Sequence, residues 1–239
     1  MERPGGCPHQ ISSAEQSAHL AHPLGVEVLD AVDAAADLLL GSRCPGCGAP
    51  GIRLCLECRV QLFIRPHRVM RLGLGIPVWA AGWYRPPLSH LVIAFKDRSA
   101  WGLNGVLANQ LCGCLESGGW GHPVLVPVPS SPASVRGRGF DHTAVLARTL
   151  AFRRHLGWTR GLRRTRPTGD QVGRNRRGRL GAQHMSMAAR RVGQRIVLVD
   201  DVVTTGATLA EAIRALDVIG EQVAGAVVVC DTPGPETVA

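Results

Sequence analysis

The run Ile196-Val197-Leu198-Val199-Asp200-Asp201-Val202-Val203-Thr204-Thr205-Gly206-Ala207-Thr208 sets two carboxylates and three hydroxyls directly behind four apolar residues. Two adjacent acids at the end of an apolar strand are costly unless they bind something. A buried strand would carry Asp200 and Asp201 to its carboxyl end, where ligands bind in open α/β sheets. Thr204, Thr205, Gly206, Ala207 and Thr208 then turn into a helix, at whose start Thr208 and Glu211 have capping-box spacing. Such a turn aims backbone N–H groups and hydroxyls at one phosphate, aided by the positive end of the helix dipole, and Gly206 allows close backbone approach. The two carboxylates would accept hydrogen bonds from vicinal sugar hydroxyls. The segment is therefore expected to hold a ribose and its 5′-phosphate. Reading Val199-Asp200-Asp201 as the magnesium strand of a nucleoside triphosphatase requires G-x4-G-K-[ST], and Lys96, the one lysine of the chain, follows Phe95 instead of glycine.

A second group of chemically capable residues is Cys44, Cys47, Cys55 and Cys58, two Cys-x2-Cys pairs separated by seven residues. Each pair places two thiolates on one side of a tight knuckle, and two knuckles complete the tetrahedral shell that zinc prefers. Pro45, Gly46 and Gly48 supply turn chemistry in the first knuckle. Four protein ligands leave no open position for an activated water, so the metal is expected to be structural. An empty reduced cluster and a pair of disulfides are the alternatives, the latter disfavoured without an export signal. Gly46 to Gly51 also fits G-x-G-x-x-G, but no strand precedes it and Pro50 interrupts the helix that should follow.

The apolar pattern indicates which elements position these groups. Residues 1–27 are rich in Gly, Pro, Ser and His without periodicity and are expected to form a disordered leader. Val28 to Leu40 has helical spacing, and with the knuckle makes an expected module over 28–65. The remaining 66–239 should form the main domain. There, Pro77 to Tyr84 reads as a strand, Leu88 to Asn109 mostly as helix with Leu91, Ile93 and Phe95 inward, and Pro123 to Pro129 as a strand buried on both faces. Asp141 suits an N-cap for a helix over Thr143 to His155 with Ala144, Ala147, Leu150 and Ala151 on one stripe. Ile196 to Val199, Thr208 to Ile219 and Val223 to Val229 continue as strand, helix and strand. The alternation predicts an α/β fold, a doubly wound mostly parallel sheet with a small N-terminal four-cysteine zinc-binding module.

With 239 residues, 45% hydrophobic and 19% charged, the chain can build a core and lies far from disordered compositions. No window approaches the roughly 20 uncharged apolar residues of a membrane span, and the opening segment lacks an apolar signal region. A soluble cytoplasmic protein is expected. The net charge of +9 is local in origin, because residues 153–195 hold 13 Arg against the single acid Asp170. Such a block suits an anionic partner, either a pyrophosphate or nucleic acid; a solvated arginine-rich loop in an arginine-biased chain is the plain alternative. An aromatic content of 4% argues against a single-strand stacking platform.

The Asp-Asp strand with its Thr-Thr-Gly-x-Thr turn closely resembles the phosphoribosyl pyrophosphate (PRPP) signature of type I phosphoribosyltransferases. Together with the double Cys knuckle, VPVP at 126–129, Arg136-Gly137-Arg138-Gly139-Phe140 and Gln171 followed by Arg179, it makes the chain similar to the ComF family. That family is associated in some bacteria with DNA uptake. The resemblance implies that Asp200 and Asp201 bind the ribose hydroxyls and that residues 204–208 bind the 5′-phosphate. It further implies that Pro129, Ser130 and Ser131 form a pyrophosphate loop near Arg136 and Arg138, with a lid around Gln171 to Arg179. The implied activity is Mg-dependent transfer of a phosphoribosyl group from PRPP to a nitrogen nucleophile. Alternatively, the chain is a competence accessory that binds DNA or partner proteins through its Arg block and knuckle. It departs from the family where Asn-Gln follows Arg-Gly-Phe, having Asp141-His142, and at Ala182, where an Asn is usual.

Overall fold

The computed structural model describes residues 43–51, 53–70, 73–97, 102–165 and 186–232. The expected leader over 1–27, the helix over 28–40, and Gln171 and Arg179 lie outside the described residues. So do Arg174, Arg176 and Arg177 of the basic block.

The chain runs α1 (Leu56–Gln61), β1 (His67–Arg68), β2 (Val78–Trp83), α2 (Leu88–Asp97), α3 (Leu103–Gly118), β3 (Val124–Pro127), α4 (Pro132–Arg138), α5 (His142–Arg154), β4 (Leu162–Arg164), β5 (Met187–Ala189), β6 (Ile196–Val203), α6 (Ala207–Asp217) and β7 (Val223–Asp231). Five strands make one sheet in the order β1-β2-β7-β6-β3, parallel except for the short β1, while β4 and β5 form a separate antiparallel hairpin. This is the doubly wound, mostly parallel α/β architecture the alternation predicts. Among the described residues no helix is long and apolar enough to cross a membrane.

Side-chain alternation along a strand sends successive residues to opposite faces, and two hydrophobic layers result. Val197, Val199, Val227 and Val229 pack with Leu91 and Phe95 of α2, Leu107 and Leu111 of α3, and Leu146 and Leu150 of α5. Ile196, Leu198, Ala226 and Val228 pack with Leu209, Ala212 and Leu216 of α6 and with Leu162 and Met187 of the hairpin. Central strands covered on both faces must be apolar throughout, which is why 196–199 reads as an unbroken run.

Four local expectations are corrected. The helical stretch after Leu88 is two helices, the second reaching Gly118 and closed by Gly119 in the left-handed conformation at φ 63°. Ile93 is exposed while Leu91 and Phe95 are buried, because positions two apart on a helix cannot share one face. Thr208 and Glu211 form no capping box. Gly206 is the N-cap of α6 with no side-chain cap bond, and the Glu211 carboxylate is buried, accepting from the Met187 amide at 2.9 Å and from Arg214 Nε at 2.7 Å. Asp141 does sit at the N-cap of α5, yet its side chain makes no cap bond.

Candidate functional site

Strand β6 is longer than its apolar run: it continues through Val203, so Asp200 and Asp201 are buried within its last residues at 9% and 6% exposure. Alternation then separates the two carboxylates. Asp201 follows the parity of Val197 and Val199 toward α2 and α5, where Lys96 Nζ lies 2.6 Å from its Oδ2 and His142 Nε2 contacts the same oxygen. Both nitrogens press on this one buried oxygen. Asp200 follows Ile196 and Leu198 toward the hairpin. Its Oδ1 accepts the Asp201 amide at 2.9 Å, and the charges of Lys96 and Arg164 both act on it.

The opposite environments drive the two carboxyls apart. Burial pushes Asp200 well above the usual carboxylate range, the Asp201 charge adds to this, and the Asp201 amide, Lys96 and Arg164 oppose it only in part. Burial raises Asp201 as well, but His142 and Lys96 outweigh it and hold that carboxyl below its ordinary value. A raised carboxyl releases its proton in the unfolded chain first, so from about pH 4 upward the Asp200 contribution to stability falls as pH rises toward its folded value. Asp200→Asn keeps the oxygen that accepts from the Asp201 amide and removes that slope. We expect the unliganded variant to melt several degrees above the parent at pH 7, by about 2–4 °C for each kcal/mol recovered, with the gain shrinking toward pH 4. Calorimetric melting across that range checks it; a variant less stable at pH 7 than at pH 4 relative to the parent contradicts the assignment.

The turn after β6 completes one side of the site. Thr204 and Thr205 are exposed, Gly206 has φ 77°, and Thr205 Oγ1 accepts the Ala207 amide at 3.4 Å. Ala207 and Thr208 open α6, so the first amides of that helix face the same end of the sheet as the carboxylates. The Asp-Asp pair and residues 204–208 are thus brought together at one strand end.

The neighbouring strand β3 supplies the other side. Its following turn holds Pro129, Ser130 and Ser131, and Ser131 caps α4 by accepting the Ser134 amide at 3.0 Å. Ser130 Oγ donates to Asp141 Oδ1 at 2.9 Å and lies 3.1 Å from His142 Nδ1. Thr143 Oγ1 ties the same helix start to the strand, donating to the Val128 carbonyl at 2.6 Å. Arg164 Nε donates to the Pro129 carbonyl at 3.0 Å. Of the two arginines expected near this turn, Arg138 is half-buried with Nη1 3.4 Å from His142 Nδ1, whereas Arg136 is exposed on α4. Sequence reasoning left Lys96 and His142 without a role and did not single out Arg164. Lys96 lies in Ala94-Phe95-Lys96-Asp97-Arg98, similar to the lysine segment of the ComF family, but no local signal assigns these residues a role, because Lys96 and His142 meet Asp201 only through the packing of α2 and α5 on the sheet.

Cys44, Cys47, Cys55 and Cys58 form a separate centre. All four are free thiols, and their sulfurs lie within 4.8 Å of one another. Cys47 Sγ and Cys55 Sγ are 3.7 Å apart, close to the ~3.8 Å edge of a tetrahedron with ~2.3 Å metal–sulfur bonds. Cys44 Sγ accepts the Cys55 amide and Cys55 Sγ the Cys58 amide, both at 3.4 Å, as suits thiolate ligands. A side chain at Gly46 would meet Cys58 Sγ at 2.7 Å, so the first knuckle must be bare there. The donor set fits a structural zinc ion. The cluster rests on the start of α2, where His90 Nδ1 lies 2.6 Å from the Gly46 carbonyl oxygen.

Among solved structures, the chain is similar to an adenine phosphoribosyltransferase from Thermoanaerobacter pseudethanolicus, with TM-score 0.37 and 16% identity over 75% of this chain and 100% of that one. It is similar to an orotate phosphoribosyltransferase from Aeropyrum pernix, with TM-score 0.33 and 22% identity over 62% of this chain and 66% of that one. A third, described as the allosteric regulatory enzyme of purine biosynthesis, has TM-score 0.33 and 21% identity over 59% of this chain and 30% of that one. The chain thus spans 66% and 30% of the length of the latter two. No curated protein matches. The model of the phosphoribosyl transferase domain matches residues 139–238, a stretch that includes His142, both carboxylates and the phosphate-type turn, and leaves Lys96, Ser130 and the cysteine cluster outside it.

Proposed function

We propose that this protein binds PRPP and transfers its phosphoribosyl group to a nitrogen nucleophile, in a chain of the ComF kind in which a four-cysteine zinc module precedes the transferase domain. The observation that carries this reading is the convergence, at one end of the sheet, of the β6 carboxylates, the turn into α6 and the Ser130 turn after β3. Asp200 and Asp201 would receive the ribose hydroxyls, and Thr204, Thr205, Gly206, Ala207 and Thr208 the 5′-phosphate. Pro129, Ser130, Ser131, Arg136 and Arg138, with Gln171 and Arg179 as lid residues, would hold the pyrophosphate.

In the reaction, the bond from ribose C1 to the pyrophosphate oxygen breaks with its electron pair leaving on pyrophosphate. A nitrogen lone pair forms the new bond to C1 and that nitrogen gives up its proton to solvent water. The oxocarbenium-like centre needs a ribose held still, which a buried, ion-paired Asp201 provides. With the pyrophosphate held at the Ser130 turn, an accompanying Mg2+ would supply neutralisation of the leaving group.

Calorimetry with Mg-PRPP and with duplex DNA on one preparation tests the reading. PRPP is expected to bind with DNA weak and salt-sensitive. Replacing Arg174, Arg176, Arg177 and Arg179 together by Ala should weaken PRPP and leave DNA unchanged. DNA binding whose logarithm falls with log salt at about −0.9 per phosphate neutralised, abolished in that variant while PRPP affinity stays constant, would make the Arg block a nucleic-acid contact instead of a pyrophosphate lid.

A further inference from the structure

Resting on the phosphoribosyl reading, the arrangement around Asp201 says which cation serves the ribose end of the ligand. Lys96 stands at the end of α2, is the chain's only lysine, and places its ammonium 2.6 Å from Asp201 Oδ2. His142, at the start of α5, approaches the same oxygen through Nε2, and its side chain is 8% exposed. Its other ring nitrogen lies 3.1 Å from Ser130 Oγ and 3.4 Å from Arg138 Nη1, so the imidazole is gripped on both sides. Two independent helices thus deliver nitrogen groups to one buried carboxylate oxygen.

A divalent ion sitting on this carboxylate would lie ~2.0–2.1 Å from an oxygen. It would then share the group with an ammonium already in contact, inside a region of low dielectric where like charges repel strongly. Asp200 alternates to the other face of β6 and its Oδ1 already accepts the Asp201 amide, so it adds no second oxygen for an ion at the Lys96 side of Asp201, although its free oxygen still faces the strand end. The Asp-Asp pair therefore does not fit as a magnesium seat. A ribose diol, by contrast, can donate hydrogen bonds to a carboxylate whose charge is already balanced, and a balanced carboxylate does not repel the phosphates on either side of the sugar.

We infer that Lys96 and His142 are positioning residues that take the place of a divalent cation at the ribose diol, so that the phosphoribosyl end of the ligand binds without Mg2+, which enters only on the pyrophosphate.

Ribose 5-phosphate lacks the pyrophosphate and isolates this end. Titrating it into the full chain by calorimetry, in buffer freed of divalent ions by resin before the protein is added and again with excess Mg2+, should give affinities equal to within about threefold, under 1 kcal/mol. No chelator enters the protein solution, which protects the cysteine centre. Lys96→Met should lose about tenfold in the metal-free titration and regain part of it with Mg2+, since the oxygen is then open to the ion. Lys96→Arg should behave as the parent, which separates the charge from a merely structural role. Parent affinity that requires Mg2+, or a Lys96→Met variant indifferent to both mutation and metal, would overturn the inference while leaving the ribose site in place. Failure of ribose 5-phosphate to bind in either buffer would instead remove the phosphoribosyl reading, and this inference with it.

Discussion

Gly206→Val is expected to abolish PRPP and ribose 5-phosphate binding, raising the dissociation constant by two orders of magnitude or more, about 3 kcal/mol, while the sheet remains folded. Gly206 is the N-cap of α6 and has φ 77°, a left-handed conformation that a β-branched residue adopts only under strain. The strain of about 1–3 kcal/mol is relieved by moving the turn, and the amides at the start of α6 move with it. Core residues Leu198, Leu209 and Val228 are untouched, so far-UV circular dichroism should match the parent and the melting temperature should fall by only a few degrees. Calorimetric titration decides the matter: a variant that binds either ligand as the parent does would mean the phosphate does not sit at this turn.

Protein made in a reducing cytosol and purified without chelator is expected to carry about one zinc ion per chain, and Cys58→Ser to carry almost none. The four free sulfurs lie within 4.8 Å of one another, an arrangement that four uncompensated thiolates would not hold without a cation. Cys58 is buried and packs on Gly46, so losing the ion should open residues 43–62 to protease while the sheet stays protected. The effect should extend to the first turn of α2, where His90 meets the Gly46 carbonyl, and hydrogen exchange there should rise in the variant. Elemental analysis showing no zinc in the parent, or exchange at 88–91 unchanged in Cys58→Ser, contradicts the structural-metal assignment.

The features legible in the sequence are those whose physics is local. The parallel strands announced themselves because a strand covered on both faces must be apolar at every position, as in Ile196 to Val199. The cysteine centre was legible because knuckle geometry is set by residues three apart. The turn at 204–206 was legible because a glycine free to take positive φ ends the strand before the helix begins. Where local reading failed, a distant partner had competed for the side chain. Glu211 has capping-box spacing from Thr208, yet it is drawn to the Met187 amide and Arg214, which offer a buried carboxylate more than a helix end does. Asp141 keeps the N-cap position but gives its oxygen to Ser130 and Thr143.

By itself, then, the sequence determined the alternation of the central strands and helices, the two thiolate pairs and the presence of paired carboxylates before a glycine turn, but not the short β1, the β4–β5 hairpin or the division of α2 from α3. What the tertiary structure alone decided is what each carboxylate faces. Strand parity sends Asp201 to the layer of α2 and α5 and Asp200 to the hairpin layer. Only the packing of those layers brings Lys96 and His142 to Asp201 and the Arg164 charge to bear on Asp200, although these residues stand 105, 59 and 36 positions away from those partners along the chain. Charge balance in a buried site depends on distance through space, and no spacing along a chain encodes it.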